Sequence, residues 1–243
     1  TTGTGDDAIT LGTGADNVNS GAGDDTISTL TANLTLADTI AGGDGDDILS
    51  MTDASTVVDA DFTLVTSVET IRQTNAAHNM TLTLGALSSA AGIANVTGGT
   101  GTNSVTVGAG HTADLAVTLA AGTDTLAATA YTGALSVTAD IDSITAADTI
   151  TGGTGSDTLT ITLDGVGDTA LAAADIAAVT AVETIAIGSN VAAGLTTGNA
   201  NIAAGETLTI TTAAMTTALL TLNASAEADG AVAVTVAGSG DHS

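Results

Sequence analysis

Apolar and polar residues alternate along much of the chain. Five short stretches have this period of two: Met80–Leu84, Ser104–Val107, Thr158–Leu163, Thr207–Thr211 and Ala231–Val236. Alternation with β-branched residues is typical of strands that bury one face. Helical patterns are scarce. The sequence predicts only single helical turns capped by Asp61 and Asp175, and another over Leu87–Ile93.

A nine-residue repeat interrupts this alternation. Its pattern is small-Gly-x-Gly-x-Asp-x-aliphatic-x. Three tandem copies and three single ones are present: Thr2–Thr10, Leu11–Asn19, Ser20–Ser28, Gly42–Ser50, Gly98–Thr106 and Gly152–Thr160. Nine residues form one glycine turn and one short strand, so two copies predict a coil of roughly 18 residues.

A longer repeat is also present. The segment Leu36–Gly43 matches Ala146–Gly153, and the segment Asp61–Ile71 matches Asp175–Ile185. Because the two matched blocks occur in the same order, we interpret the chain as a unit of roughly 110 residues that is used twice.

Composition restricts both the core and the partners. The chain has 27 acidic residues, one basic residue and a net charge of −26, and aromatic residues are 1% of the total. A core without aromatic side chains must be thin and aliphatic, which narrow stacked β-layers provide. One cationic side chain cannot neutralise nucleic-acid phosphates or an anionic membrane surface, so we expect neither nucleic-acid binding nor membrane insertion. The repulsion within the chain requires a counter-charge, and a metal cation is the obvious candidate.

The nonapeptide brings oxygen ligands together. Its glycines permit tight or left-handed backbone angles, which leave carbonyl oxygens facing inward, and the sixth-position Asp adds a carboxylate on the same side. The first and third tandem copies are one full coil apart, so they stack directly and place Asp7 near Asp25. Two carboxylates about 4 Å apart repel by roughly 1 kcal/mol in water and about 4 kcal/mol at a surface-like dielectric. A hard dication reverses this repulsion, and Ca²⁺ suits a flexible oxygen cage better than the smaller, octahedral Mg²⁺.

The nonapeptides resemble the RTX repeat family, whose pattern is that of a calcium-binding parallel β-helix. The resemblance implies that sixth-position carboxylates and turn carbonyls bind several Ca²⁺ ions between stacked coils. The matching residues are Asp7, Asp16, Asp25, Asp47 and Asp157. Asn103 occupies this position in its own copy but has no charge, so we expect a weaker or absent site there.

Further acidic residues complete the candidate set. Asp24 and Asp46 directly precede two of the sixth-position residues. Asp38 and Asp148 lie shortly before glycine pairs, where a structural cap and a calcium ligand from the neighbouring coil are equally open interpretations. Asp16 and the single copies have no obvious partner one predicted coil length away in the sequence.

We therefore predict an all-β, right-handed parallel β-roll or β-helix. Residues 1–50 form a calcium-binding β-roll, and residues 51–243 continue it as a β-helix built from the longer repeat. The Val-Glu-Thr-Ile blocks and Thr/Ala-rich strands further resemble calcium-dependent surface-layer proteins of Gram-negative bacteria and large RTX adhesins. That resemblance implies a secreted, cell-surface structural protein that assembles with copies of itself into a lattice or filament. Cell-surface polysaccharide is a further expected partner, through parts outside this chain.

Other interpretations have less support. A zinc site needs clustered ligands, whereas the histidines are scattered: His78, His111 and His242. We expect no enzyme activity, because sugar-site aromatics are missing, Arg72 is the only cation and no glycine-rich turn has the Lys of a phosphate-binding loop. We interpret Glu69 and Glu183 as surface or turn-capping residues, with calcium ligation as the alternative. The Gly/Asp turns have a simpler alternative as ordinary turns with solvated Asp.

Two other functions remain open alternatives: a spacer module of a large calcium-dependent adhesin, and the RTX region of a secreted enzyme or toxin. Ice binding by Thr arrays needs a more regular spacing than the sequence has. Because the chain begins at Thr1 without a leader, we expect a processed product or part of a longer protein.

Overall fold

The structure is a computed structural model that describes residues 3–74, 77–162, 171–172, 174–188, 193–198, 201–202, 204–212 and 220–236. His242 lies outside these ranges, and so does residue 163, the last residue of the alternating stretch Thr158–Leu163. The described residues contain 23 strands: β1 (Gly3–Thr4), β2 (Ala8–Thr10), β3 (Asn17–Ala22), β4 (Thr26–Thr29), β5 (Thr39–Asp44), β6 (Ile48–Met51), β7 (Ser55–Val57), β8 (Val65–Thr66), β9 (Thr70–Gln73), β10 (Met80–Leu84), β11 (Asn95–Thr97), β12 (Asn103–Val107), β13 (Leu115–Leu119), β14 (Thr125–Ala127), β15 (Leu135–Asp140), β16 (Thr149–Thr151), β17 (Thr158–Thr162), β18 (Val179–Thr180), β19 (Thr184–Ile187), β20 (Ala193–Gly198), β21 (Thr207–Thr212), β22 (Leu220–Ala226) and β23 (Ala231–Val236).

The strands stack as a parallel solenoid. One sheet has 11 strands in the order β2-β4-β6-β9-β11-β13-β15-β17-β19-β21-β23. The strands between them in the chain form a four-stranded sheet (β1-β3-β5-β8), a six-stranded sheet (β18-β16-β14-β12-β10-β7) and the pair β20-β22. The pairs are parallel, and each connects one coil to the next. This confirms the predicted all-β solenoid.

A single aliphatic column forms the centre of the 11-stranded sheet. Its register partners, one from each coil, are Ile9, Ile27, Leu49, Ile71, Val96, Val117, Val137, Leu159, Ile185, Ile210 and Val234. The members from Ile27 to Ile210 are at most 2% exposed, whereas Val234, on the last strand, is 43% exposed. The core is mostly aliphatic, as the composition predicts, and its two buried aromatic side chains are Phe62 and Tyr131.

The predicted coil length holds only for the first coil. Residue numbers along the central column advance by 18 from Ile9 to Ile27, as predicted, but by 22 from Ile27 to Leu49 and by 26 from Leu159 to Ile185. Among the described residues, the helical segments between strands are two 3-10 turns and one α-helix, α1: Thr31–Asn33, Asp59–Phe62 and Ala86–Ala91.

The helical segments are short. The α1 helix overlaps the predicted turn over Leu87–Ile93. Asp61 lies within its 3-10 turn rather than before it, and its Oδ2 accepts the backbone N–H of Val58 at 2.9 Å. Asp175 likewise accepts the backbone N–H of Ala172. None of the helices in the described part of the chain has the length and apolar character needed to cross a membrane.

Candidate metal centre

An inner column of carboxylates runs through the N-terminal coils. It consists of Asp7, Asp25 and Asp47, and the carboxylates of Asp25 and Asp47 each accept the backbone N–H of the preceding member. The distances are 2.7 Å from Asp7 N to Asp25 Oδ1 and 2.8 Å from Asp25 N to Asp47 Oδ1. Glu69 continues the column, because its Oε2 accepts the Asp47 N–H at 2.7 Å. The structure therefore brings Asp7 and Asp25 together, as the stacking of repeat copies predicts.

An outer column stands directly beside the inner one. It consists of Asp6, Asp24 and Asp46, which are all exposed. The N–H of Asp24 donates to Asp6 Oδ1 and the N–H of Asp46 donates to Asp24 Oδ1, both at 2.9 Å. These hydrogen bonds run in the opposite direction to those of the inner column. Three stacked coils therefore hold six carboxylates in two adjacent columns.

Glycine makes this close stacking of turns possible. Gly21 and Gly43 have φ of +113° and +119°, a region that other residues rarely adopt. A Cβ at Gly43 would collide with the carbonyl oxygen of Gly21, and one at Gly21 would collide with the carbonyl oxygen of Gly3. The turn backbones therefore lie directly on one another, with their carboxylates in register.

The inner column buries negative charge that no side chain neutralises. Asp25 and Asp47 are 0% exposed, and the chain has one basic residue, Arg72. Carboxylates one strand spacing (about 4.8 Å) apart repel by roughly 1 kcal/mol in water and about 3 to 4 kcal/mol at an effective dielectric of 20. Burial raises the pKa of Asp47, and the charges of Asp25, Glu69 and Asp24 raise it further, against the lowering effect of the hydrogen bond from the Asp25 N–H.

Each of these buried carboxylates also has one oxygen without a partner. Asp25 Oδ2 and Asp47 Oδ2 are inaccessible to solvent and accept no hydrogen bond from the described residues. An unpartnered buried carboxylate oxygen is costly, because the water it has lost is not replaced. A cation beside these two atoms would supply the missing partner and offset the buried negative charge.

Asp16 has a partner that the sequence did not reveal. Its N–H donates to Asp38 Oδ1 at 2.8 Å, and Asp38 lies 22 residues further along the chain. Asp38 Oδ2 accepts the N–H and the hydroxyl of Thr35, at 2.6 and 3.1 Å. Burial acts to raise the pKa of Asp38, but the hydrogen bonds from Asp16 and Thr35 outweigh it and lower the pKa. Both carboxylate oxygens of Asp38 therefore already act as structural caps.

A second buried column lies where strands of the six-stranded sheet begin: Asn103 starts β12, and Asp124 and Asp148 directly precede β14 and β16. The N–H of Asn103 donates to Asp124 Oδ1 at 2.9 Å, and the N–H of Asp124 donates to Asp148 Oδ1 at 2.7 Å. Asp148 repeats the geometry of Asp38, because its Oδ2 accepts the N–H and hydroxyl of Thr145. Asp124 is 1% exposed, and its Oδ2 has no partner among the described residues. Burial raises the pKa of Asp124 to about 6, and the charge of Asp148 adds to this, against the hydrogen bonds from Asn103.

Sequence reasoning missed Asp124. Only the second half of the nonapeptide pattern is present around Asp124. The segment 122–126 is Gly-Thr-Asp-Thr-Leu, which resembles Gly-Ser-Asp-Thr-Leu at 155–159 in the complete copy Gly152–Thr160. The glycine pair that begins the full pattern is absent, so the nonapeptide pattern does not predict Asp124.

The remaining candidate, Asp157, has both oxygens in hydrogen bonds. Oδ1 accepts the N–H of Leu135 at 3.0 Å, and Oδ2 accepts the N–H of Gly153 at 2.5 Å. The N–H of Asp157 donates to Glu183 Oε2 at 2.7 Å, just as that of Asp47 donates to Glu69. The two glutamates therefore cap the adjacent coil, the role that we expect from the sequence.

Comparison with known families identifies these turns. The family model of the RTX calcium-binding nonapeptide repeat (4 copies) matches residues 1–29, 36–50 and 144–160. The chain carries RTX repeats. Such repeats bind Ca²⁺ at multiple sites and are typical of secreted proteins, which confirms the predicted cofactor. No curated protein and no solved structure matches the chain.

The RTX turns of the N-terminal coils fit a calcium ion. The donor groups are carboxylate and carbonyl oxygens, the ligands that Ca²⁺ prefers. Within the described ranges, no three His, Asp or Glu side chains form a group that could hold a metal by themselves. A calcium ion beside Asp25 or Asp47 would therefore also need turn carbonyls or water as ligands. Which of the ten candidate residues bind the ion stays a prediction, and the unpartnered oxygens favour these two.

Proposed function

We propose that this protein is an extracellular, calcium-dependent structural subunit that assembles with copies of itself into a surface layer or filament. The observation that carries the proposal is the inner column, where two buried carboxylate oxygens have no partner among the described residues and a Ca²⁺ ion would supply one. The RTX repeats support a secreted, calcium-binding protein.

Calcium binding is coupled to folding in this proposal. The stacked turns exist only in the folded chain, so an ion that binds them stabilises the folded state by mass action, by about 2.7 kcal/mol per site at 100 times the dissociation constant. In a calcium-poor cytosol the acidic column would oppose folding, which keeps the chain competent for export. Outside the cell, calcium completes the coils.

Two features support self-assembly. The end strands of the 11-stranded sheet, β2 and β23, each pair on one side only among the described residues. An unpaired strand edge offers backbone hydrogen-bonding groups to another chain. The outer column exposes three carboxylates in a row, which a dication can bridge to an acidic face of a neighbouring subunit.

Electron microscopy with and without calcium tests this proposal. The purified chain is dialysed into millimolar CaCl₂ or into EGTA, and its mass is followed by light scattering. Ordered lattices or fibres in calcium that dissolve on chelation support the subunit. A stable monomeric rod at high concentration in calcium would instead support an adhesin spacer, and a longer reading frame with a catalytic motif would support the RTX region of an enzyme or toxin.

A further inference from the structure

The amide of Asn103 is surrounded by oxygen atoms. Its Nδ2 donates to the carbonyl oxygens of Gly99 and Gly101, at 2.7 and 3.0 Å, and to Asp124 Oδ1 at 2.8 Å. Asn103 is 1% exposed. Two turn carbonyls and one carboxylate from the next coil therefore converge on a single nitrogen, and these are the ligand types that a calcium ion would take in such a turn.

In the other two single copies, a carboxylate oxygen occupies the position that Asn103 Nδ2 has in its own turn. A Cβ at the first glycine of the motif would meet Asn103 Nδ2 in one copy, Asp47 Oδ2 in another and Asp157 Oδ2 in the third. These three atoms are thus equivalent within their turns. At Asp47 the atom is a buried acceptor without a partner among the described residues. At Asn103 it is a donor whose hydrogens point at acceptors.

We infer that the Asn103 amide takes the place of a calcium ion, so that the coils around it fold without metal. A nitrogen donor satisfies the two carbonyl oxygens and Asp124 Oδ1, which a carboxylate at position 103 would repel. Consistent with this, the family match includes the copies at 42–50 and 152–160 but not the copy Gly98–Thr106.

The solenoid then has segments of different calcium dependence. Residues 3–51 contain the inner column with two unpartnered oxygens and need the ion. The coils from β10 to β14 are held by the Asn103 amide and keep their structure after chelation. Binding and release of calcium would therefore fold and unfold the N-terminal coils, while the coils in the middle of the solenoid stay folded. This inference rests on the proposed calcium dependence of the N-terminal coils.

The substitution Asn103→Asp tests the inference directly. We expect it to create a calcium requirement where none existed. In EGTA the melting temperature should fall by about 5 °C or more below that of the unsubstituted chain, and calcium should restore most of the loss. Titration calorimetry should count one more Ca²⁺ per chain. Asn103→Ala removes the donor without adding a charge, so its loss should be equal in calcium and in EGTA.

Two outcomes of these titrations separate the inference from the proposed function. If the unsubstituted chain binds no calcium, the proposed function fails. If that chain binds calcium but Asn103→Asp adds no ion and loses stability equally in both buffers, the inference alone is overturned.

Hydrogen exchange on the unsubstituted chain provides a test that needs no variant. Amides of residues 103–107 should stay protected in EGTA while those of residues 26–29 and 48–51 lose protection. Equal loss in the two regions would overturn the inference. The converse substitution, Asp47→Asn, should bind one Ca²⁺ fewer and increase the protection of residues 48–51 in EGTA.

Discussion

At the scale of single residues, the buried carboxylates fall into two groups. In Asp38, Asp148 and Asp157, each oxygen accepts a hydrogen bond from the backbone or from a threonine. In Asp25 and Asp47, one oxygen has no partner among the described residues, and the same is true of Asp124. The first group is satisfied by the protein alone. In the N-terminal coils a cation can supply the missing partner of Asp25 and Asp47, whereas Asp124, whose pKa is raised by burial, can take up a proton instead.

Asp124 should make the stability of the protein depend on pH. Its pKa is raised by burial to about 6 in the fold, from 3.8 in the unfolded chain. Between these values the folded chain holds a proton that the unfolded chain has released, so Asp124 lowers stability as pH rises from about 4 to 6. Asp124→Asn removes this loss and should be more stable than the unsubstituted chain at pH 7 by about 1 to 3 kcal/mol.

Urea unfolding of the calcium-stripped protein in calcium-free buffers at pH values from 4 to 8 measures this effect. The advantage of Asp124→Asn should be smallest near pH 4, grow up to about pH 6 and stay constant above it. An advantage that does not change with pH would show that burial of Asp124 does not shift its ionisation.

At the scale of elements, each RTX glycine turn lies against a specific neighbour. Cβ atoms at Gly42 and Gly152 would collide with the carbonyl oxygens of Ser67 and Ala181. Ser67 and Ala181 have φ of 51° and 50°, a left-handed conformation without glycine, directly before the Val-Glu blocks. The longer repeat of the sequence is therefore explained by stacking: a glycine turn in one coil is followed by a Val-Glu turn in the next.

Replacing Gly43 by Ala should disrupt the N-terminal coils. Gly43 has φ of +119°, and a methyl group there would collide with the carbonyl oxygen of Gly21. Gly14 has a similar φ of +115°, but a methyl group there would meet no other atom within 4 Å, so Gly14→Ala is a matched control for backbone strain. We expect a loss of about 1 to 2 kcal/mol for Gly14→Ala and about 3 to 5 kcal/mol for Gly43→Ala.

Chemical unfolding in calcium compares the two glycine variants. Equal losses would mean that close stacking of the N-terminal turns contributes nothing beyond the strain of the turn itself.

The elements also show which features a sequence can predict. Alternation and the nonapeptide pattern are local, so they predicted the strands, the turns and the carboxylates that face them. The coil length depends on how many residues each corner inserts, which the nonapeptide does not encode. The partner of Asp16 is therefore Asp38, 22 residues away, and not a residue near position 34. Asp124 was missed because its turn keeps only the second half of the pattern.

At the scale of the whole molecule, the chain folds around an aliphatic core although it has a net charge of −26, and its acidic side chains repel one another. Two kinds of interaction offset this repulsion: backbone N–H groups donate to the buried carboxylates, and in the proposed function calcium binds where these donors are insufficient. The first operates along the length of the solenoid, from Asp25 to Glu183. The second is needed most in the N-terminal coils.

Chelation should therefore lower the melting temperature of the chain substantially. Two sites at 100 times their dissociation constant contribute about 5 kcal/mol, or about 10 to 20 °C for a chain of this size. Circular dichroism in millimolar CaCl₂ and in EGTA measures the shift. NaCl at equal ionic strength is the control, since screening acts on the exposed outer column but does not supply a ligand to buried oxygens. If NaCl restores the melting temperature as fully as calcium, general screening and not site binding stabilises the coils.

The most direct test of the calcium sites is an anomalous difference map from crystals grown in CaCl₂. We predict peaks about 2.3 to 2.6 Å from Asp25 Oδ2 or Asp47 Oδ2, with turn carbonyls completing the coordination. Water alone beside both oxygens, at saturating calcium, would contradict the central claim that the inner column is a calcium site.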